Sequence, residues 1–195
     1  DEWAASEYAS SGVYAPRFGG NEPVVVTCQD CHMPAATGKG ASFGAVRDDL
    51  PSHDILGANT FGPAIIPHHP VFGAEVDAEL LADAIEKNTK FLRKAATVTA
   101  TLDLGTLSVR VQNDTGHKLP TGYPEARRMW LHVRAYNSDQ AIVFESGRYV
   151  FEEQDLRGHH ALPSDSDFDP YLKVWEAVHG ISPAWALLLG RSPGP

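Results

Sequence analysis

One stretch of the chain carries a clear helical period. Leu80, Leu81, Ala84, Ile85, Phe91, Leu92 and Ala95 recur at the spacing of one helix face, with Glu79, Asp83, Glu86, Lys87, Lys90, Arg93 and Lys94 opposite them. The spacing predicts a helix over residues 77–95, capped by Asp77 and ending in a basic turn that suits the helix dipole. From residue 97 the period falls to two. Residues 97–103 and 106–112 alternate about Gly105, and residues 129–136 and 141–150 form a second pair across Asn137–Gln140. Four such strands predict an antiparallel, sandwich-like β domain. Val98, Leu107, Val109, Val111, Leu131, Val133, Ile142 and Phe144 would supply its inward face.

The rest of the chain is less periodic. Residues 1–27 allow a short helix over 2–10 and then pass through a Gly19-Gly20-Asn21-Glu22-Pro23 loop signal. Residues 34–75 are rich in Gly and Pro, and so long a stretch without a period needs something to hold it in a compact domain. Beyond 150 the sequence is polar and irregular, with Tyr171–Val178 as one further strand or short helix and a tail at Arg191–Pro195. No internal repeat is visible. The fold class expected is therefore mixed: a loop-rich segment over residues 1–96 with one main helix, followed by an antiparallel β domain over 97–195 with an irregular C-terminal tail.

Composition changes this picture little. Hydrophobic residues make up 43% and charged residues 21% of 195, the balance of an ordinary soluble globular protein. The formal charge of −9 argues against a nucleic-acid partner and favours basic ones. The longest apolar run, Ala184–Gly190, is far short of a membrane span. The start at Asp1-Glu2-Trp3, without an initiator Met or an apolar leader, reads as a mature or trimmed product.

Candidate chemistry centres on Cys28-Gln29-Asp30-Cys31-His32, which holds the only two cysteines. A C-x-x-C-H run is the attachment signal of haem c: both thiols add to porphyrin vinyl groups and the following histidine binds iron. A thioredoxin-like redox pair does not require the histidine and belongs near a βαβ pattern, which is absent here. A zinc site would need two more ligands at finger or ribbon spacing, and no second cysteine pair exists. One covalent haem c would also explain the 34–75 segment, since Phe43, Ile55, Leu56, Phe61, Ile65 and Ile66 could pack on the macrocycle.

Two stretches carry a family resemblance. Cys28–Pro34, followed by Asn113-Asp114-Thr115-Gly116-His117-Lys118-Leu119-Pro120-Thr121-Gly122-Tyr123-Pro124-Glu125-Ala126-Arg127-Arg128-Met129-Trp130-Leu131, resembles exported multihaem c-type cytochromes that place a β domain after their last haem motif. Glu145-Ser146-Gly147 and Asp169–Val174 extend the likeness over most of residues 24–180. The resemblance implies covalent haem, bis-histidine iron, electron transfer and a periplasmic or extracellular location. Two departures stand out. This chain has a single haem motif, so a wire of haems needs partners, and Tyr8 stands where relatives carry a histidine that binds another haem.

The nine histidines offer several sixth ligands. The resemblance points to His53, which precedes a Gly57-Ala58-Asn59 run as a distal histidine does in relatives. Reach is no obstacle: 21 residues separate it from His32, and a path of order 10–15 Å round the macrocycle needs only a few residues at about 3.3 Å each. Asp54 beside it could orient the ring. His68 and His69, in a stiff loop between prolines, are alternatives, as is His117, whose turn can equally be structural. His132, His159, His160 and His179 read as ordinary strand or surface residues, and Met33 and Met129 as non-ligands. Arg127 and Arg128 beside Glu125 read as structural ion pairs.

The expectation is an exported electron carrier rather than an enzyme, exchanging electrons with other redox proteins or cytochromes. One alternative is a haem enzyme or small-ligand sensor with an open iron position, served by Arg47, Asp48, Asp49 or His53. Another is a haem-carrying subunit of a homo-oligomer or filament.

Overall fold

The computed structural model describes residues 2–120 and 127–177, with 184, 187, 188 and 190 beyond them. The Thr121–Ala126 part of the family-like stretch, His179 and the Arg191–Pro195 tail lie outside the described residues. The chain divides into two compact units, residues 1–118 and 119–195, so the first hairpin stays with the main helix.

In the first unit, helix α1 (Glu7–Ser10) leads into strand β1 (Val13–Tyr14), which pairs antiparallel with β2 (Val24–Val25). Helix α2 (Cys28–His32) carries the C-x-x-C-H run. Strands β3 (Ala35–Lys39) and β4 (Val46–Pro51) form a bulged hairpin, and α3 (Phe61–Ile65) precedes α4 (Ala78–Leu92). Asp77 caps α4 as expected: its carboxylate accepts from the backbone N–H groups of Glu79 and Leu80 at 2.9 and 3.2 Å. Strands β5 (Ala96–Asp103) and β6 (Thr106–Asn113) pair in full register. Their two-residue turn, Leu104-Gly105, has positive φ at both positions, the conformation that follows the right-handed twist of a hairpin.

The core of this unit is not the expected β face. Tyr8, Ala15, Phe18 and Val25 are buried together, with Trp3, Val13, Cys31 and Phe91 packed against them. Val98 and Leu107 of the hairpin are exposed and Val109 and Val111 only half-buried. A two-stranded ribbon carries apolar side chains on its face but brings no second layer of its own to cover them.

In the second unit, β7 (Arg128–Trp130) pairs antiparallel with a distant partner near the end of the described chain, Val174–Glu176. Strand β8 (Val133–Tyr136) pairs with β9 (Ile142–Ser146), β10 (Tyr149–Val150) pairs with β11 (Asp155–Leu156), and Val174–Glu176 is β12. The two long strands expected over 129–136 and 141–150 are thus each broken. The second break has a visible cause at Gly147. Its φ is +74°, and a Cβ there would stand 2.1 Å from the Leu131 carbonyl oxygen, so only glycine fits the crossing. All six sheets among the described residues are two-stranded and antiparallel, which makes this a loop-rich mixed fold. No described helix is long and apolar enough to cross a membrane.

Candidate haem site

Helix α2 is a single turn fixed at both ends. The Asp30 carboxylate reaches back to accept the backbone N–H groups of Val26 and Thr27 at 2.9 and 2.8 Å, which holds the entry to the turn. Gly20 passes so close beneath it that a Cβ would lie 2.3 Å from the Asp30 carbonyl oxygen. Both cysteines are free thiols, Cys28 exposed and Cys31 partly buried against the aromatic core. Burial, with Asp30 and Cys28 nearby, pushes the Cys31 thiol up to about 11.

The His32 ring is held from two sides. Its Nδ1 is hydrogen-bonded to the Leu56 carbonyl oxygen, and the His32 carbonyl accepts from the Leu56 N–H at 2.9 Å. Phe91 of α4 lies beside it, with ring centroids 5.3 Å apart. An Nδ1 committed to a carbonyl leaves the Nε2 lone pair for a metal, the usual arrangement of a ligating histidine. The loop that presents Leu56 is itself docked on α4. The Gly57 N–H donates to Asn88 Oδ1 at 2.7 Å, and Lys87 Nζ lies 3.1 Å from Asp54 and 2.8 Å from Asp83. The Ser52 hydroxyl and Lys87 together hold the Asp54 carboxyl below the usual range. Asp54 is thus engaged by Lys87, while His53 is exposed and makes no hydrogen bond or ring contact among the described residues.

His117 stands across from His32. The ring centroids are 6.4 Å apart and the planes 12° from parallel. The turn that carries it is heavily tied. The His117 carbonyl accepts from Asn113 Nδ2 at 2.6 Å and from the Thr115 hydroxyl at 2.8 Å, and the Lys118 N–H donates to Glu2 at 2.9 Å. Asp114, buried at its root, accepts from Thr97 and Gln112 at 2.5 and 2.9 Å and lies 3.3 Å from Arg17. The Tyr8 hydroxyl donates to the Asp114 carbonyl at 2.7 Å. Burial raises the Tyr8 phenol, so this donor stays protonated.

The remaining histidines are placed elsewhere. His69 Nδ1 accepts the N–H groups of Val71 and Phe72, and its ring stacks on Phe72 at 4.7 Å. His68 shares an apolar hollow with Ile65, Ile66 and Phe72. His132 bonds Glu145 at 3.0 Å. His159, with 8% of its side chain exposed, lies 3.1 Å from both Asp155 and Glu176, which also receive Arg128. Arg128 therefore forms the structural ion pairs expected of it, with partners other than Glu125, which lies outside the described residues. Asp155, His159 and His160 could together hold a cation, but Arg128 already neutralises that carboxylate.

The groups that sequence reasoning did not reach are the supports: Leu56 by its carbonyl, Phe91, Asn88 and Asp114. A backbone acceptor leaves no trace in composition, and a lone Asp after a strand resembles any turn residue. Compared with protein-family models, with curated proteins and with solved structures, the chain finds no match in any of the three.

The residues present fit haem c. Cys28 and Cys31 would form the thioether bonds, and His32, with its Nδ1 restrained, would offer Nε2 to iron. Bound there, the iron would supply reversible one-electron chemistry.

Proposed function

We propose that this chain is an exported c-type cytochrome that carries one covalent haem and passes electrons between redox partners. The observation that carries the reading is the state of the C-x-x-C-H run: its two thiols share one helical turn, and the following His32 is locked by Leu56 in the tautomer that binds metal. The Leu56 carbonyl makes the imidazole more basic, which favours ferric over ferrous iron and lowers the potential. Phe91 packs against the ring and limits its freedom to turn. Export follows from the chemistry of haem c attachment together with the resemblance noted above. The test is extraction with acidified acetone: the haem colour should stay with the denatured polypeptide. Haem that leaves completely with the solvent defeats the reading.

One observation favours a second reading, a subunit of a larger cytochrome assembly. Val98, Leu102, Leu104 and Leu107 expose apolar surface along one hairpin, with Leu104 at the tip fully open. Light scattering on the haem-loaded protein should then show mass above the monomer at high concentration. A monomer at every concentration removes this reading and leaves the first intact.

A further inference from the structure

We propose that His117 is the second axial ligand of the haem iron, so that the metal is clasped between helix α2 and the turn after β6. The inference rests on the haem reading above and names the residue that completes the same site.

Separation is the first argument. Two imidazoles on one metal have bonds of about 2.0 Å each, and each nitrogen lies roughly 1.1 Å from its ring centre, which places the centroids about 6.2 Å apart when the bonds are in line. The His32 and His117 centroids are 6.4 Å apart. The second argument is the state of each ring. His32 Nδ1 bonds the Leu56 carbonyl and His117 Nδ1 lies 3.2 Å from the Lys118 carbonyl, while neither Nε2 has a partner among the described residues. Both rings are thus held by the same atom and keep the same atom free, as a pair of metal ligands requires.

The third argument is rigidity. A ligand must be held in place before iron arrives, and the His117 turn is fixed by Asn113, Thr115, Asp114 and the aromatic pair Trp3 and Tyr8. His53 offers the opposite case. It is exposed and has no partner among the described residues, and three residues on, its loop lays the Leu56 carbonyl against His32 Nδ1. That loop serves the ring already on the helix, and a ligand for the far face is better supplied by an element that does not contact that nitrogen.

The test uses the haem-loaded full chain and its His117→Gly, His117→Ala and His53→Ala variants. The parent ferric protein should be low spin, with the rhombic electron paramagnetic resonance signal of near-parallel imidazoles. His117→Ala should keep covalent haem, turn high spin and bind carbon monoxide rapidly once reduced. His53→Ala should keep the parent spectra. Added imidazole should restore the low-spin signal in His117→Gly, which separates ligand loss from misfolding. A low-spin spectrum that survives in His117→Ala, a high-spin His53→Ala, or no rescue by imidazole in a variant with parent circular dichroism would each overturn the proposal. Failure of the parent to hold haem in acidified acetone would instead defeat the haem reading itself.

Discussion

Polar contacts in the first unit converge on one side chain, Asp114. Burial alone would raise its carboxyl, but the bonds from Thr97 and Gln112 and the charge of Arg17 outweigh it and hold it below the usual carboxylate range. A folded-state pKa below the unfolded value of about 3.9 stabilises the fold at all higher pH, and that contribution is lost as pH falls through the folded value. Acid unfolding should therefore steepen below about pH 4, and Asp114→Asn should flatten that part of the stability profile, as urea titrations at several pH values would show. Asp114→Ala strands Arg17, Thr97 and Gln112 and should lose about 2–3 kcal/mol in urea. A loss within error of zero would mean that the carboxylate does not hold the turn. The companion contact is smaller: Tyr8→Phe removes one donor to the Asp114 carbonyl and should cost about 1 kcal/mol.

Between elements, the docking of the 52–57 loop on α4 decides how firmly His32 is held. Asn88→Ala removes the acceptor of the Gly57 N–H, so amide exchange at Gly57 and Leu56 should quicken by roughly fivefold, equivalent to about 1 kcal/mol, while exchange in the β5–β6 hairpin stays unchanged. The turn after β6 has its own sensitive point. A Cβ at Gly116 would lie 2.4 Å from the Trp3 ring, so Gly116→Ala should destabilise by about 1–3 kcal/mol, measurable as a lower melting temperature. Elements were legible in the sequence where a period runs unbroken. Helix α4 and the β5–β6 hairpin lie within a few residues of their expected bounds, since the Asp77 cap and the Leu104-Gly105 turn agree with the periodicity around them. The strands beyond 128 were not. Trp130 and Val133 sit in one alternating run yet pair with different strands, because Leu131 bonds Lys173 and Gly147 crosses beneath it. Alternation reports which face a residue takes, and says nothing of where pairing changes hands.

For the molecule as a whole, the same limit governs the site. Cys28, Cys31 and His32 are adjacent in sequence and could be read from spacing, whereas the juxtaposition of His117 depends on the hairpin returning the chain past α2, which no local pattern records. Net charge, by contrast, is a property of the entire chain and yields a prediction at that scale. At −9, and in the electron-carrier role proposed above, the protein should attract basic redox partners over distances set by the screening length, about 10 Å at 0.1 M salt. Exposed acidic groups include Asp48 and Asp49 on β4 and Asp83 and Glu86 on α4, although Arg47, Lys87 and Lys90 offset part of that charge. Stopped-flow electron exchange with a basic cytochrome should therefore slow by about tenfold or more between 10 mM and 300 mM salt, as oppositely charged encounter is screened. With an acidic partner the salt dependence should reverse, because screening then relieves repulsion. Equal rates for both partners at low salt would show that encounter is not steered by net charge, and would assign it to a local patch or to apolar contact at the exposed hairpin instead.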